Sequence, residues 1–220
     1  MRRLCLLAGL LLPLHAQDSV QQLVETLYPN NARLKEIRMG DIFRELAIHD
    51  GSQVADVGCG VGEFSVILSH LVGSAGRVYC EDIVDQKDWG LRLAKANLKK
   101  QHVKNAVVIH GDADNPKLPQ GTLDAVLIVN AYHEMPQYQS MLRHIRESLK
   151  PGGRFVILDN TPFRTAQRPR EKQTNNHVLS PNLAAGEVEA AGFHIIHRED
   201  AFIDNPDSES AHWLMAAERQ

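Results

Sequence analysis

Local metal and dithiol motifs are missing from this chain. It holds three cysteines, Cys5, Cys59 and Cys80, and neither C-x-x-C nor H-E-x-x-H spacing occurs, so no resident metal is expected. Basic residues are not massed. With 24 Lys and Arg against 27 Asp and Glu the net charge is −3, and no block of cations is long enough for a nucleic-acid footprint. Beyond the N-terminus there is no long apolar run, hence no stretch of about 20 residues to span a bilayer. Internal repeats and low-complexity tracts are absent too. What remains suits one globular domain: 43% hydrophobic and 23% charged residues in a chain of 220, long enough to bury a sizeable core.

The one long apolar run opens the chain. Arg2-Arg3 precedes Leu4 to Leu14, 11 apolar residues, and His15-Ala16-Gln17 follows. A basic start, a short apolar stretch and a small residue read as a secretory signal peptide over residues 1–16, cleaved after Ala16. Export to a periplasm or the outside is expected, with a cytoplasmic location if the signal is not used. Cleavage removes Arg2 and Arg3 and no acid, taking the net charge from −3 to −5. Cys59 and Cys80 then remain. They pair in an oxidising compartment if their Cα atoms come within about 7 Å, and otherwise serve as small buried hydrophobes.

Residues 17–50 read as a helical segment, with Met39, Ile42, Phe43 and Leu46 at i, i+3, i+4 and i+7. From residue 51 to 220 strands and helices alternate. Strands are expected at 54–57, 77–82, 106–110, 123–129 and 154–159, and helices after Gly62, over 85–101 with Trp89 inward, from Tyr138, and from Ser180-Pro181 to Gly192. Two final strands, around 193–202 and 211–217, flank the turn-rich Asp204-Asn205-Pro206-Asp207 and are expected as an antiparallel edge hairpin. This alternation predicts a Rossmann-like, doubly wound α/β sheet of seven strands, mostly parallel.

The most informative run is Val54-Ala55-Asp56-Val57-Gly58-Cys59-Gly60-Val61-Gly62-Glu63. A buried strand enters a glycine turn and then a helix, the usual nucleotide-binding start of such a sheet. The dinucleotide fingerprint G-x-G-x-x-G needs a third glycine at 63, where Glu63 stands. A carboxylate in the first turn repels a pyrophosphate and tolerates a cationic or zwitterionic ligand. Strand ends carry further polar groups: Glu81-Asp82, then His110-Gly111-Asp112-Ala113, then Asn130-Ala131-Tyr132-His133-Glu134. Asp82 is preferred over Glu81 for a ribose diol, because Glu81 is expected on the opposite face of its strand.

The D-x-G-x-G-x-G turn and these strand ends, with Pro151-Gly152-Gly153, resemble in order and spacing the class I S-adenosylmethionine (SAM) methyltransferases. Residues 52–160 carry the resemblance, and 184–193 extend it. It is nearest to the small-molecule group related to ubiquinone and menaquinone biosynthesis. The resemblance implies SAM as cofactor, with Asp56, Gly58, Gly60 and Gly62 at its methionine end. It implies Asp82 at the ribose, Asp112 and Ala113 at the adenine, and Asn130 near the sulfonium. Asn130-Ala131-Tyr132-His133 departs from the Asn/Asp-Pro-Pro-Tyr/Phe motif of the amino-methylating DNA enzymes, which argues against a base substrate, and the resemblance to the small-molecule group implies a small-molecule acceptor.

Methyl transfer from a sulfonium needs mainly alignment, with a general base where the acceptor must lose a proton. His133 is the candidate base, His177 a second, and Tyr132 a candidate wall of the acceptor pocket. Two other readings stand beside this one: an exported non-catalytic binding protein on the same fold, and a nicotinamide-dependent oxidoreductase. Segments 17–50 and 160–180, expected to face the acceptor, carry no readable code for it.

Overall fold

The computed structural model describes residues 14–162, 165–205 and 210–220. The signal segment therefore lies mostly outside the described residues, as does part of the turn at Asp204-Asn205-Pro206-Asp207. The helical segment is three helices: α1 (Leu14–Leu27), α2 (Ala32–Glu36) and α3 (Met39–Leu46). Pro29 sits in the break, since proline lacks the N–H that continues a helix. Asn31 restarts the chain as an N-cap, its side chain accepting from Leu34 N at 3.1 Å. On α3 the periodic stripe Met39, Ile42, Phe43 and Leu46 is buried, each residue contributing about 1.5–3 kcal/mol of apolar burial.

The rest of the chain alternates as expected. Its elements are β1 (Gln53–Val57), α4 (Glu63–Leu71), β2 (Arg77–Asp82), α5 (Leu91–Lys100), β3 (Ala106–His110), β4 (Leu123–Val129) and α6 (Tyr138–Ser148). Then follow β5 (Leu149–Asn160), α7 (Arg170–Thr174), α8 (Pro181–Ala190), β6 (Phe193–Asn205) and β7 (Ser210–Arg219). The seven strands lie in the order β3-β2-β1-β4-β5-β7-β6. The first five are parallel. β7 runs antiparallel between β5 and β6, so the last hairpin closes one edge. This is the doubly wound α/β architecture the alternation predicts.

Two boundaries differ from expectation. The span 85–101 is not one helix: Asp85–Gln86 pairs antiparallel with Trp89–Gly90 before α5 begins. Gly90 has φ 75° and ψ −146°, outside the helical region, so the helix starts only after it. Trp89, expected inward, is 54% exposed. β5 starts at Leu149 and takes in Pro151-Gly152-Gly153, with a register shift opposite Leu123 and Ala125.

Both faces of the sheet are covered. Leu127 of β4 packs with α3 and α4 residues such as Phe43 and Ile67. Its neighbours Val126 and Ile128 pack with Leu142 of α6 and Val188 of α8, as the alternation of side chains along a strand requires. β1 leads outward to β2 and β3, and β4 lies on its other side. The strand order thus reverses at β1 and β4, and a crevice opens above their carboxyl ends.

Candidate functional site

Above that switch point lies a cavity of ≈ 450 Å³, walled by Gly58, Gly60, Glu81, Asp82, Ala113, Asn130 and Glu134 among others. A smaller recess of ≈ 110 Å³ continues it past Asp56, Cys59 and Glu63. A larger groove, ≈ 610 Å³, lies at the opposite ends of the strands near Gly51, Arg77 and Asn105 and contains none of the motif residues.

The glycine turn is shaped by close approach. Gly58 has φ +72°, and a Cβ there would lie 2.5 Å from the Ala131 Cβ, so only glycine lets the β1 and β4 ends meet this closely. Gly62, also left-handed, caps α4. Asp82 ties the turn to β2: Oδ2 accepts from Gly60 N at 2.8 Å and Oδ1 from Val84 N at 2.8 Å. Each carboxylate oxygen keeps a further lone pair for a diol. Asp56 accepts from Ser65 Oγ at 2.6 Å and so anchors the start of α4. Burial pushes its carboxyl up to about 7 against the lowering pull of Ser65.

Glu81 is the residue that sequence reasoning set aside. The pleat was expected to turn it away, yet it is buried and lines the same cavity as Asp82. Here β2 ends, so side chains leaving either face bend over the sheet's edge. Its Oε1 has no hydrogen-bond partner. Burial first, and then the charge of Asp82, push its carboxyl up to about 8. Asn130 holds φ 50°, a left-handed conformation that asparagine tolerates better than most residues, and its buried Oδ1 is also unpartnered. Ala113 is in the cavity wall. Asp112 is not among the wall residues; its carboxylate is exposed and pairs with Lys117 Nζ at 2.8 Å.

Across the crevice, beyond β4, a one-turn 3-10 helix carries Tyr132, His133 and Glu134. His133 is 4% exposed. Its Nδ1 lies 2.6 Å from Asp159 Oδ1 and its backbone N–H donates to Asp159 Oδ2 at 2.9 Å. Its Nε2 faces Glu134 Oε1 at 3.1 Å, and Glu134 Oε1 also contacts His177 Nδ1. Burial favours the neutral imidazole, but the Asp159 hydrogen bond and the charges of Asp159 and Glu134 outweigh it, and the proton affinity of His133 rises. For Glu134 the burial effect is outweighed by His177 and His133, and its pKa falls.

Asp159 escaped sequence reasoning, although an acid at the carboxyl end of β5 was visible in the strand pattern. Tyr132 does not wall the cavity. It is fully buried, and its O–H donates to Glu187 at 2.7 Å. Cys59 and Cys80 are free, buried thiols whose sulfurs lie 2.8 Å apart. Among the described residues, the cavity wall holds Glu81, Asp82 and Glu134 and no Lys or Arg. Glu81, pushed up to about 8 by burial, is mostly protonated at neutral pH and Glu134 faces His133 and His177, so the wall favours a cationic ligand chiefly through Asp82.

Comparison with known proteins gives a consistent result. Residues 48–217 match a family described as methyltransferase domain. A demethylmenaquinone methyltransferase of Geobacillus sp. (strain WCH70) is 26% identical over 153 residues, covering 66% of this chain and 64% of that protein. One from Lactococcus lactis is 33% identical over 124 residues, covering 56% of this chain and 45% of its own length. The chain thus spans about half to two thirds of these curated relatives. Among solved structures, a SAM-dependent methyltransferase from Aquifex aeolicus superposes with a TM-score of 0.71 at 22% identity, over 93% of this chain and 98% of that one.

Proposed function

The chain belongs to the methyltransferase-domain family matched over residues 48–217, and from that premise we propose that it transfers a methyl group from SAM to a small-molecule acceptor. The observation that carries this reading is the acid-lined cavity at the carboxyl ends of β1, β2 and β4, with Arg33 entering only at the adjoining recess, where it pairs with Glu63. When bound, SAM supplies an electrophilic methyl on a positively charged sulfonium. The residues present fit that group. The Gly58 approach keeps the cavity floor open, Asp82 has lone pairs left for ribose hydroxyls, and the orphaned Asn130 Oδ1 offers an acceptor towards a cationic centre. Asp56, Gly60 and Gly62 shape the methionine end through the recess and the start of α4. Ala113 offers its backbone to the adenine, with Asp112 at the rim.

The protein's own work is alignment and handling of the acceptor's proton. Asp159 holds the Nδ1 side of His133, so Nε2 is directed towards Glu134 and the cavity wall. In its neutral form, with Nδ1 held by Asp159, His133 would take the acceptor's proton at Nε2, which makes His133 the proposed catalytic residue. A demethylmenaquinone-type ring is one acceptor class suggested by the relatives' names. Export is part of the proposal through the basic and apolar start of the sequence. Cleavage after Ala16 would trim the first three residues of α1, and fractionation of cells for a processed form tests it.

Thermal-shift measurements with S-adenosylhomocysteine, SAM, NAD and NADP separate the competing chemistries. Stabilisation by the first two and none by the nicotinamides is expected, because ligands that bind only the folded state raise its melting temperature. Stabilisation by NAD or NADP alone would return the chain to oxidoreductase chemistry. Ligand binding with no methyl transfer to any quinol or small hydroxylated acceptor would favour an exported binding protein.

A further inference from the structure

His133 Nε2, Glu134 Oε1 and His177 Nδ1 lie within 4.8 Å of one another, although His177 is far along the chain from the other two. Neighbouring residues of β5 bring them together. Asp159 holds His133, and the next residue, Asn160, donates from Nδ2 to the backbone carbonyl of His177 at 3.0 Å. His133 Nδ1 contacts the fully buried Asp159 carboxylate, and Nε2 faces a carboxylate oxygen 3.1 Å away. A proton on Nε2 bridges that contact, and so does a metal ion held by both groups. A buried carboxylate behind an imidazole is also the arrangement that fixes the tautomer and ring orientation of metal-bound histidines.

We propose that His133 Nε2, the Glu134 carboxylate and His177 Nδ1 bind one divalent transition ion of the zinc class at the rim of the cavity. Two imidazoles and one carboxylate suit zinc, cobalt or iron better than magnesium or calcium, which take oxygen ligands. Three protein ligands leave a position open, the pattern of catalytic rather than structural zinc. Glu134 belongs to the same cavity wall as Asp82 and Asn130, so the open position faces the acceptor's side of the crevice. The ligand class this implies is an acceptor with an ionisable O–H or S–H. As its oxygen or sulfur bonds to the ion, the proton passes to bulk water and the electron pair stays on the donor atom. The ion occupies the Nε2 lone pair and so takes the place of His133 as the group that activates the acceptor in the proposed methyl transfer, on which its role rests; its binding does not rest on that reading. Sequence spacing hid the site because Glu134 adjoins His133 and His177 comes from another segment, outside any short motif.

The test is titration of the chelator-stripped full chain with Co²⁺, read by visible ligand-field absorption, and with Zn²⁺, read by calorimetry. One ion per chain is expected. Glu134→Gln and His177→Asn, both at exposed side chains, should each weaken binding by on the order of 100-fold or more, since loss of a ligand exceeds the ~10–100-fold cost of losing an outer partner. Asparagine suits the left-handed backbone of His177, φ 55°. Asp82→Ala should bind the ion as the parent does. Absence of stoichiometric binding, or binding unchanged in both ligand variants, overturns the proposal. S-adenosylhomocysteine titrated into the same samples keeps the two readings apart. A chain that takes up S-adenosylhomocysteine and no ion loses the metal site alone; a chain that takes up the ion and no S-adenosylhomocysteine loses the methyltransferase reading alone.

Discussion

Along the β1–β2 edge of the crevice, Gly58, Gly60, Glu81 and Asp82 lie within 24 residues of one another, whereas across the β4–β5 edge His133, Asp159 and His177 are spread over 44. The first edge is built by one strand–turn–helix and the strand beside it, with the backbone doing much of the holding: Gly60 N–H and Val84 N–H on Asp82. The second is assembled by side chains from three segments, with Asp159 and Asn160 as the common support. The difference separates a surface held by backbone within one short stretch of chain from one assembled by side chains of distant segments.

The sharpest way to break the contrast is at the first edge. Gly58→Ala forces a left-handed backbone on a residue with a Cβ and drives that Cβ into Ala131. The two effects together should cost about 2–5 kcal/mol in denaturant unfolding, and cofactor binding should fall with it. At the second edge, Asp159→Asn removes a buried charge that accepts from His133 N, lies on His133 Nδ1 and accepts from Asn160 N at 2.7 Å. A loss of about 2–3 kcal/mol is expected, from charged hydrogen bonds each worth about 1.5–3 kcal/mol. S-adenosylhomocysteine affinity should nevertheless stay within about threefold, because Asp159 does not wall the cofactor cavity.

How legible each edge was in the sequence follows from the same contrast. Gly58, Gly60 and Asp82 come together where their spacing placed them, because a buried strand entering a glycine turn allows few other geometries. β2, β3 and β4 begin and end at the residues expected from the sequence, 77–82, 106–110 and 123–129. Asp112 was placed by order along the chain alone, and its side chain was free to turn to Lys117. Trp89 was assigned to a helix face by periodicity, and Gly90 overrode that periodicity with a backbone angle the pattern does not encode. Asp159 carried the same signal as every strand-end acid. Its partnership with His133 follows from β4 and β5 being neighbours, which the sequence order of strands suggests only once the sheet is drawn. Glu81 was misread because the pleat rule holds inside a sheet and lapses where the strand stops.

Titration sharpens the comparison at smaller scale. Asp56 and Glu81, both at the first edge, have folded-state values raised to about 7 and about 8. Between the ordinary carboxylate range and those values the folded state binds more protons than the unfolded state, so the stability they contribute is complete at low pH and is lost as pH rises. Unfolding free energy of the ligand-free chain should therefore decline between about pH 4 and pH 8, and Glu81→Gln should flatten the upper part of that decline. A profile unchanged by Glu81→Gln would mean that this carboxyl is already ionised in the fold. The smallest effect belongs to the support of His177. Asn160→Ala, which removes one donor to a carbonyl, should cost about 1 kcal/mol and leave S-adenosylhomocysteine binding unchanged.

The most direct measurement is calorimetric titration of the full chain and of Asp82→Ala with S-adenosylhomocysteine. Micromolar binding by the parent is expected, and losing two ribose hydroxyl bonds to one carboxylate, at about 1.5–3 kcal/mol each, predicts a loss of on the order of 100-fold or more in the variant. Equal binding by both proteins, or no binding by a folded parent chain, would contradict the assignment of this crevice to SAM.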